Sequence, residues 1–110
     1  MSHLKAKSDR KRHKKRVRQI EIMGRKIDVI EGEGLSYNGE PCLGLCNYDE
    51  KKIYIERNQP PHTKSETLIH EAAHYFLELT GIAQKLSYSE NEVYCQLITA
   101  FYTDLKKSKL

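Results

Sequence analysis

Nowhere in the 110 residues does an apolar run approach the roughly 20 positions that a membrane-spanning helix needs. Nor does an apolar segment follow the charged N-terminus, so no secretion signal is visible and a cytoplasmic location away from the membrane is expected. Cysteine is scarce and odd in number: Cys42, Cys46 and Cys95 argue against a disulfide framework and suit a reducing compartment. Cys42 and Cys46 also make a poor second zinc site, because on an extended segment their Cα atoms would stand roughly 13 Å apart. They are read as half-buried thiols.

Acidic residues are nearly missing from the first eighteen positions, where Asp9 stands alone among Lys5, Lys7, Arg10, Lys11, Arg12, Lys14, Lys15, Arg16 and Arg18. The rest of the chain holds ten basic side chains against fourteen acidic ones, so the tail alone makes the net charge positive. Residues 1–16 have too few apolar side chains to pack and are expected to be disordered. No aromatic is interleaved with the charges. Nucleic acid bound through this tail would therefore be held non-specifically and in a salt-sensitive way, the plain alternative being a solvated tail that aids solubility. Residues 17–110 are enough for one small domain with one site.

What the chain does carry is His70-Glu71-Ala72-Ala73-His74, inside an apolar-periodic run from Glu66 to Leu79. Residues four apart on an α-helix share a face, so two imidazoles at this spacing can grip one Zn²⁺. At about 100° per residue, His74 falls roughly 40° from His70 and Glu71 roughly 100°, while Ile69, Ala72, Ala73, Phe76 and Leu77 fill the remaining arc. Glu71 flanks the pair where it can take a proton from a water that the metal activates. The pattern points to a general base beside half a metal site.

Signals independent of the histidines put this motif on a helix. Thr63-Lys64-Ser65-Glu66 fits a capping box, and Gly81 suits the residue after the last turn. A second box, Ser89-Glu90-Asn91-Glu92, opens another helix whose Val93, Leu97, Ile98, Ala100, Phe101 and Leu105 recur at helical spacing. Before the helices the period is two. Ile20 and Ile22, then Ile27 and Val29, read as a hairpin with Gly24-Arg25 as a type II′ loop. Glu31 to Cys42 is loop or a short second hairpin. Leu43–Asn47 and Lys52–Glu56 read as strands around Tyr48-Asp49-Glu50-Lys51, and Pro60-Pro61 ends the sheet.

A catalytic zinc needs a third protein ligand and an open position. Downstream of His74 there is no further histidine, which removes the metzincin arrangement and leaves Glu78, Glu90, Glu92, Asp104 and Cys95 as candidates. Asn91-Glu92 at a helix start, with Gln96 four residues on and Leu97, Ile98 and Phe101 behind it, resembles the glutamate helix of the gluzincins, the thermolysin-like peptidases. That resemblance implies Glu92 as the third zinc ligand, although the apolar face of the second helix lies nearer Glu90. Gln96 stands where thermolysin-like enzymes carry an acid that supports a zinc histidine. Small size points towards the minigluzincins and the metallopeptidases of phages and mobile elements, including relatives of the ImmA/IrrE peptidases. Glu78 can support a ligand histidine, and Tyr75, Tyr88 and Tyr94 are candidates to stabilise an oxyanion, with packing the plainer role for each.

The expected fold is α+β: a small, mostly antiparallel sheet over Val17–Glu56 packed on helices 63–80 and 89–106, zincin-like, with the cleft between sheet edge and motif helix. By resemblance, Lys52–Glu56 is the strand that would bind substrate by strand addition. The expected function is zinc-dependent hydrolysis of a peptide or protein substrate, with His70, His74 and Glu92 as metal ligands and Glu71 as general base. The alternative is a non-enzymatic, nucleic-acid-associated regulator with a structural or vestigial zinc. Glu71 separates the two, because a structural site has no use for a base between its histidines.

Overall fold

A computed structural model describes residues 17–108. The basic stretch 1–16, read above as a disordered tail able to meet nucleic acid, lies outside the described residues.

Period-two alternation produces the first hairpin, in which β1 (Val17–Ile22) and β2 (Arg25–Gly32) pair antiparallel with Ile22 opposite Arg25. Its two-residue loop is Met23-Gly24, one position earlier than expected. Both residues have positive φ, 51° and 79°, the pattern of a type I′ loop, whose twist matches the strands it joins, and not of type II′. Asn38-Gly39 repeats the device at φ 55° and 80° between β3 (Ser36–Tyr37) and β4 (Glu40–Pro41), a short second hairpin.

A third hairpin joins β5 (Gly44–Asn47) to β6 (Lys52–Glu56), its turn tightened by Asn47 Oδ1, which accepts from the Glu50 amide at 3.1 Å. The strand order is β1-β2-β6-β5, with β2 and β6 parallel and the outer pairings antiparallel. With two helices this gives the α+β fold that the sequence implies. One expectation is corrected: Lys52–Glu56 is paired on both sides, so it has no free edge to take a further strand, and the outer strand on that side is β5.

Ile27, Val29, Ile53 and Ile55 are the inward members of β2 and β6 and, with Cys46 and Tyr75, form the main core. Burying each branched side chain contributes about 1.5–3 kcal/mol. The helix α1 (Pro61–Thr80) covers that core with Leu68, Ala72, Tyr75 and Leu79, while Ala73 and Leu77 on its other side meet Cys95 of α2 (Tyr88–Lys107). Ala83 and Leu86, in the connection between the helices, close this second cluster.

Two helix faces differ from expectation. Phe76 is 41% exposed, and Tyr75 takes the core place instead, edge-on to Tyr48 at 5.1 Å between ring centres. On α2 the stripe of Val93, Leu97, Ile98 and Phe101 is exposed, and the buried side is Asn91 and Cys95. Periodicity reveals that a stripe exists; it does not reveal which neighbour takes it. Among the described residues, no helix is long and apolar enough to cross a membrane.

Candidate metal centre

The motif helix starts earlier than its sequence signal, because Pro61 occupies the first helical position, where a missing N–H costs nothing and the fixed φ suits the helix. Thr63-Lys64-Ser65-Glu66 is thus inside α1 and caps nothing. Gly81, at φ 83°, ends the helix and gives its N–H to the Glu78 carbonyl at 3.2 Å. Between these ends His70 and His74 stack along one face, their rings 4.9 Å apart and inclined at 74°.

The start of α2 decides which glutamate meets them. Ser87, not Ser89, is the cap: Glu90 N donates to Ser87 Oγ at 3.1 Å, and Ser87 N donates to Glu90 Oε1 at 2.9 Å. This capping box holds Glu90 at the exposed helix end. Glu92 lies roughly 200° further round the helix and is turned towards α1. Its Oε1 is 3.2 Å from His70 Nε2 and its Oε2 is 3.1 Å from His74 Nε2. Glu78 instead accepts from Gln84 Nε2 at 3.3 Å, and Gln96 is exposed. Of the three tyrosines singled out by sequence, Tyr75 is in the core and Tyr94 is exposed, while Tyr88 borders the cavity at the histidines.

His70, His74 and Glu92 each offer one ligand atom, and these atoms lie within 4.8 Å of one another, close enough to hold a metal ion. Donors about 2.0–2.1 Å from a tetrahedral zinc stand roughly 3.3–3.4 Å apart, and the two nitrogen–oxygen separations here are near that value. The two separations run to different oxygens of the Glu92 carboxylate, so the group converges on one point between the helices, where a metal ion could be held. Burial lowers the pKa of His74, with Glu92 acting in the opposite direction, so the ring is held neutral and free to coordinate. Its Nδ1 is buried without a hydrogen bond, and the Asn91 side chain stands beside the ring and favours its charged form.

Glu71 is buried against β5. Cys46 Sγ lies 3.2 Å from Glu71 Oε1 and donates to it, and the same sulfur is 3.2 Å from the Glu71 carbonyl oxygen. A Cβ at Gly44 would stand 2.8 Å from Glu71 Cγ and from Thr67 Cγ2, so only glycine lets strand and helix approach this closely. Burial pushes the Glu71 carboxyl from its ordinary 4.5 to about 7; the Cys46 hydrogen bond opposes the shift, and the charge of Glu92 adds to it. Burial also raises the thiols, Cys42 to about 11, Cys95 to about 12 and Cys46 well above its usual range. None of them is a thiolate at neutral pH. Glu71 is thus a group able to exchange a proton near pH 7.

A cavity of about 780 Å³ opens where the β5 edge meets both helices, lined by Tyr37, Cys42, Leu43 and Gly44 on one side and His70, Glu71, His74 and Glu92 on the other. Sequence reasoning misses the contribution of β5. Gly44 and Cys46, two apart on one strand face, are small residues where a helix comes close, and that period-two pair is the signal available. Comparisons of the chain with protein-family models, with curated proteins and with solved structures gave no match.

Proposed function

We propose that the chain is a zinc-dependent hydrolase of peptide bonds, related to the gluzincins. The observation that carries the reading is the placement of a buried carboxylate, Glu71, on the lining of the same cavity as the convergent donors His70, His74 and Glu92. Two imidazoles and one carboxylate are the donor set of catalytic zinc sites that keep an open position. Zinc held there supplies Lewis acidity towards a carbonyl and makes a water more acidic. Glu71 would take the proton of the attacking water and pass it to the leaving amine.

An extended peptide would lie along β5, whose residues Gly44 and Leu45 border the cavity on the outer side of the sheet. A purely structural zinc would need the histidines but not Glu71, nor the glycine that admits it.

The test is hydrolysis of an unfolded protein by the zinc-loaded chain and by its Glu71→Gln variant. The variant should bind zinc and keep the parent's fold while turnover falls by at least about 100-fold, the low end of what a positioned base contributes. Equal turnover in the two proteins, or turnover that a chelator does not stop, would overturn the reading.

A further inference from the structure

The two helices run in opposite directions where they meet: Glu92, near the start of α2, is at His70 and His74, while Lys106 Nζ, near its end, reaches Ser65 Oγ at 3.5 Å. Between them, from His70 to Asp104, lies a second cavity of about 350 Å³. Glu66, His70 and Thr99 line it and also line the larger cavity at the metal donors, so the two adjoin. Ala100, Thr103 and Asp104 form its wall on α2. Of these residues the proposed hydrolysis uses only His70.

The lining is rich in acceptors. Glu66, one turn before His70 on the same helix face, and Asp104 are carboxylates, and neither forms an ion pair with a cation among the described residues. The Thr103 hydroxyl oxygen is buried and has no hydrogen-bond partner among the described residues. Lysine and arginine are missing from the lining, and Lys107, one turn past Thr103, stays outside it. A second metal ion is not what the cavity fits, because His70 groups with His74 and Glu92, and Glu66 and Asp104 complete no such group. Its volume, at the low end for ligand pockets, suits one long side chain.

We propose that this cavity is a specificity pocket that receives a lysine or arginine side chain of the substrate, held at its charged end by Glu66 and Asp104. The proposal rests on the hydrolase reading: a peptide in the larger cavity sets its side chains at fixed distances from the bond to be cut, and the cavity beside His70 takes one of them. A long cationic side chain matches both parts of the lining, with its methylene stem against Ala100 and its N–H groups on carboxylate and hydroxyl oxygens. An acidic side chain would meet two like charges, and a short apolar one would leave them unused.

Two measurements on the full, zinc-loaded chain test this. In the first, the bonds cut in an unfolded protein are mapped by mass spectrometry, and lysine or arginine should recur at one fixed position relative to the cut. Glu66→Gln with Asp104→Asn should remove that preference. It should lower kcat/KM about 10-fold for a peptide with lysine at that position, near the upper end for two partly exposed charge pairs, and leave the norleucine counterpart unchanged. Both residues are exposed, so the double variant should keep the parent's fold and zinc affinity. In the second, the slow Glu71→Gln chain is titrated with fluorescent alanine-based peptides carrying one lysine or one norleucine. The lysine peptides should bind about 10-fold more tightly, and the gain should vanish when Glu66 and Asp104 are also substituted. Cleavage without a basic preference, or a preference that survives the double variant, would overturn the pocket and leave the hydrolase reading standing. A lysine gain in binding that depends on the two acids, in a chain whose parent cuts nothing, would uphold the pocket and sink the hydrolase reading. Peptides that bind alike to a chain that cuts nothing would overturn both.

Discussion

At Glu71 two demands meet, because the carboxylate must be buried enough to hold a proton near pH 7 yet keep a path to the cavity. Cys46 moderates this balance. Its thiol donates to the carboxylate and lowers a pKa that burial raises, so Cys46→Ala should lift the Glu71 pKa further and move the acid limb of any pH–rate profile upwards. The same change should cost about 1–3 kcal/mol of stability for the lost hydrogen bond and the small void, measured by urea unfolding. Cys46→Ser, which keeps a donor, should shift the limb less; identical limbs for all three proteins would show that the thiol has no hold on Glu71. His70, Glu71 and His74 are legible in sequence because their chemistry is written in one helical turn. Cys46 is not, because its partner lies 25 residues away and nothing local marks the pairing.

At the scale of the elements, the serine that caps α2 sets the direction of Glu92. Two overlapping boxes are available, Ser87-x-x-Glu90 and Ser89-x-x-Glu92, and sequence pattern alone does not choose between them. Had the second formed, Glu92 would be held at its own helix end and Glu90 would be released. The fold uses the first. Ser87→Ala should therefore cost about 1 kcal/mol and weaken metal affinity, whereas Glu90→Gln should weaken metal affinity no more than its effect on stability, as metal titration alongside thermal unfolding would show. Hairpins and helices are visible from periodicity and turn residues to within a few positions. The strand order is not, because the parallel pairing of β2 with β6 spans three intervening strands and leaves no local trace. For the same reason the choice of Lys52–Glu56 as outer strand fails while its assignment as a strand holds.

For the whole molecule, the buried Glu71 ties stability to pH when no metal is bound. In the unfolded chain it ionises at its ordinary 4.5, and in the fold at about 7, so the fold prefers the protonated form. Its contribution is complete below pH 4.5 and is lost as pH rises through 7, a difference of about 3 kcal/mol for a group this deeply buried. His74 acts oppositely: its lowered pKa means that stability present above its ordinary 6.5 falls away as pH drops. The Glu71 part should be isolated as the difference between the metal-free parent and Glu71→Gln, measured from pH 4 to pH 8. A difference that stays flat across that range would contradict the buried, proton-holding carboxylate.

The claim on which the rest depends is that His70, His74 and Glu92 hold one metal ion between the two helices. Zinc titration of the metal-stripped chain, followed by calorimetry, tests it most directly when run beside Glu92→Ala and Glu90→Ala. The account predicts about one zinc per chain for the parent and for Glu90→Ala, with affinity lowered at least about 10-fold in Glu92→Ala, the loss associated with removing even a residue that merely supports a ligand. A folded parent that takes up no zinc, or a Glu92→Ala chain that binds as tightly as the parent, would contradict it.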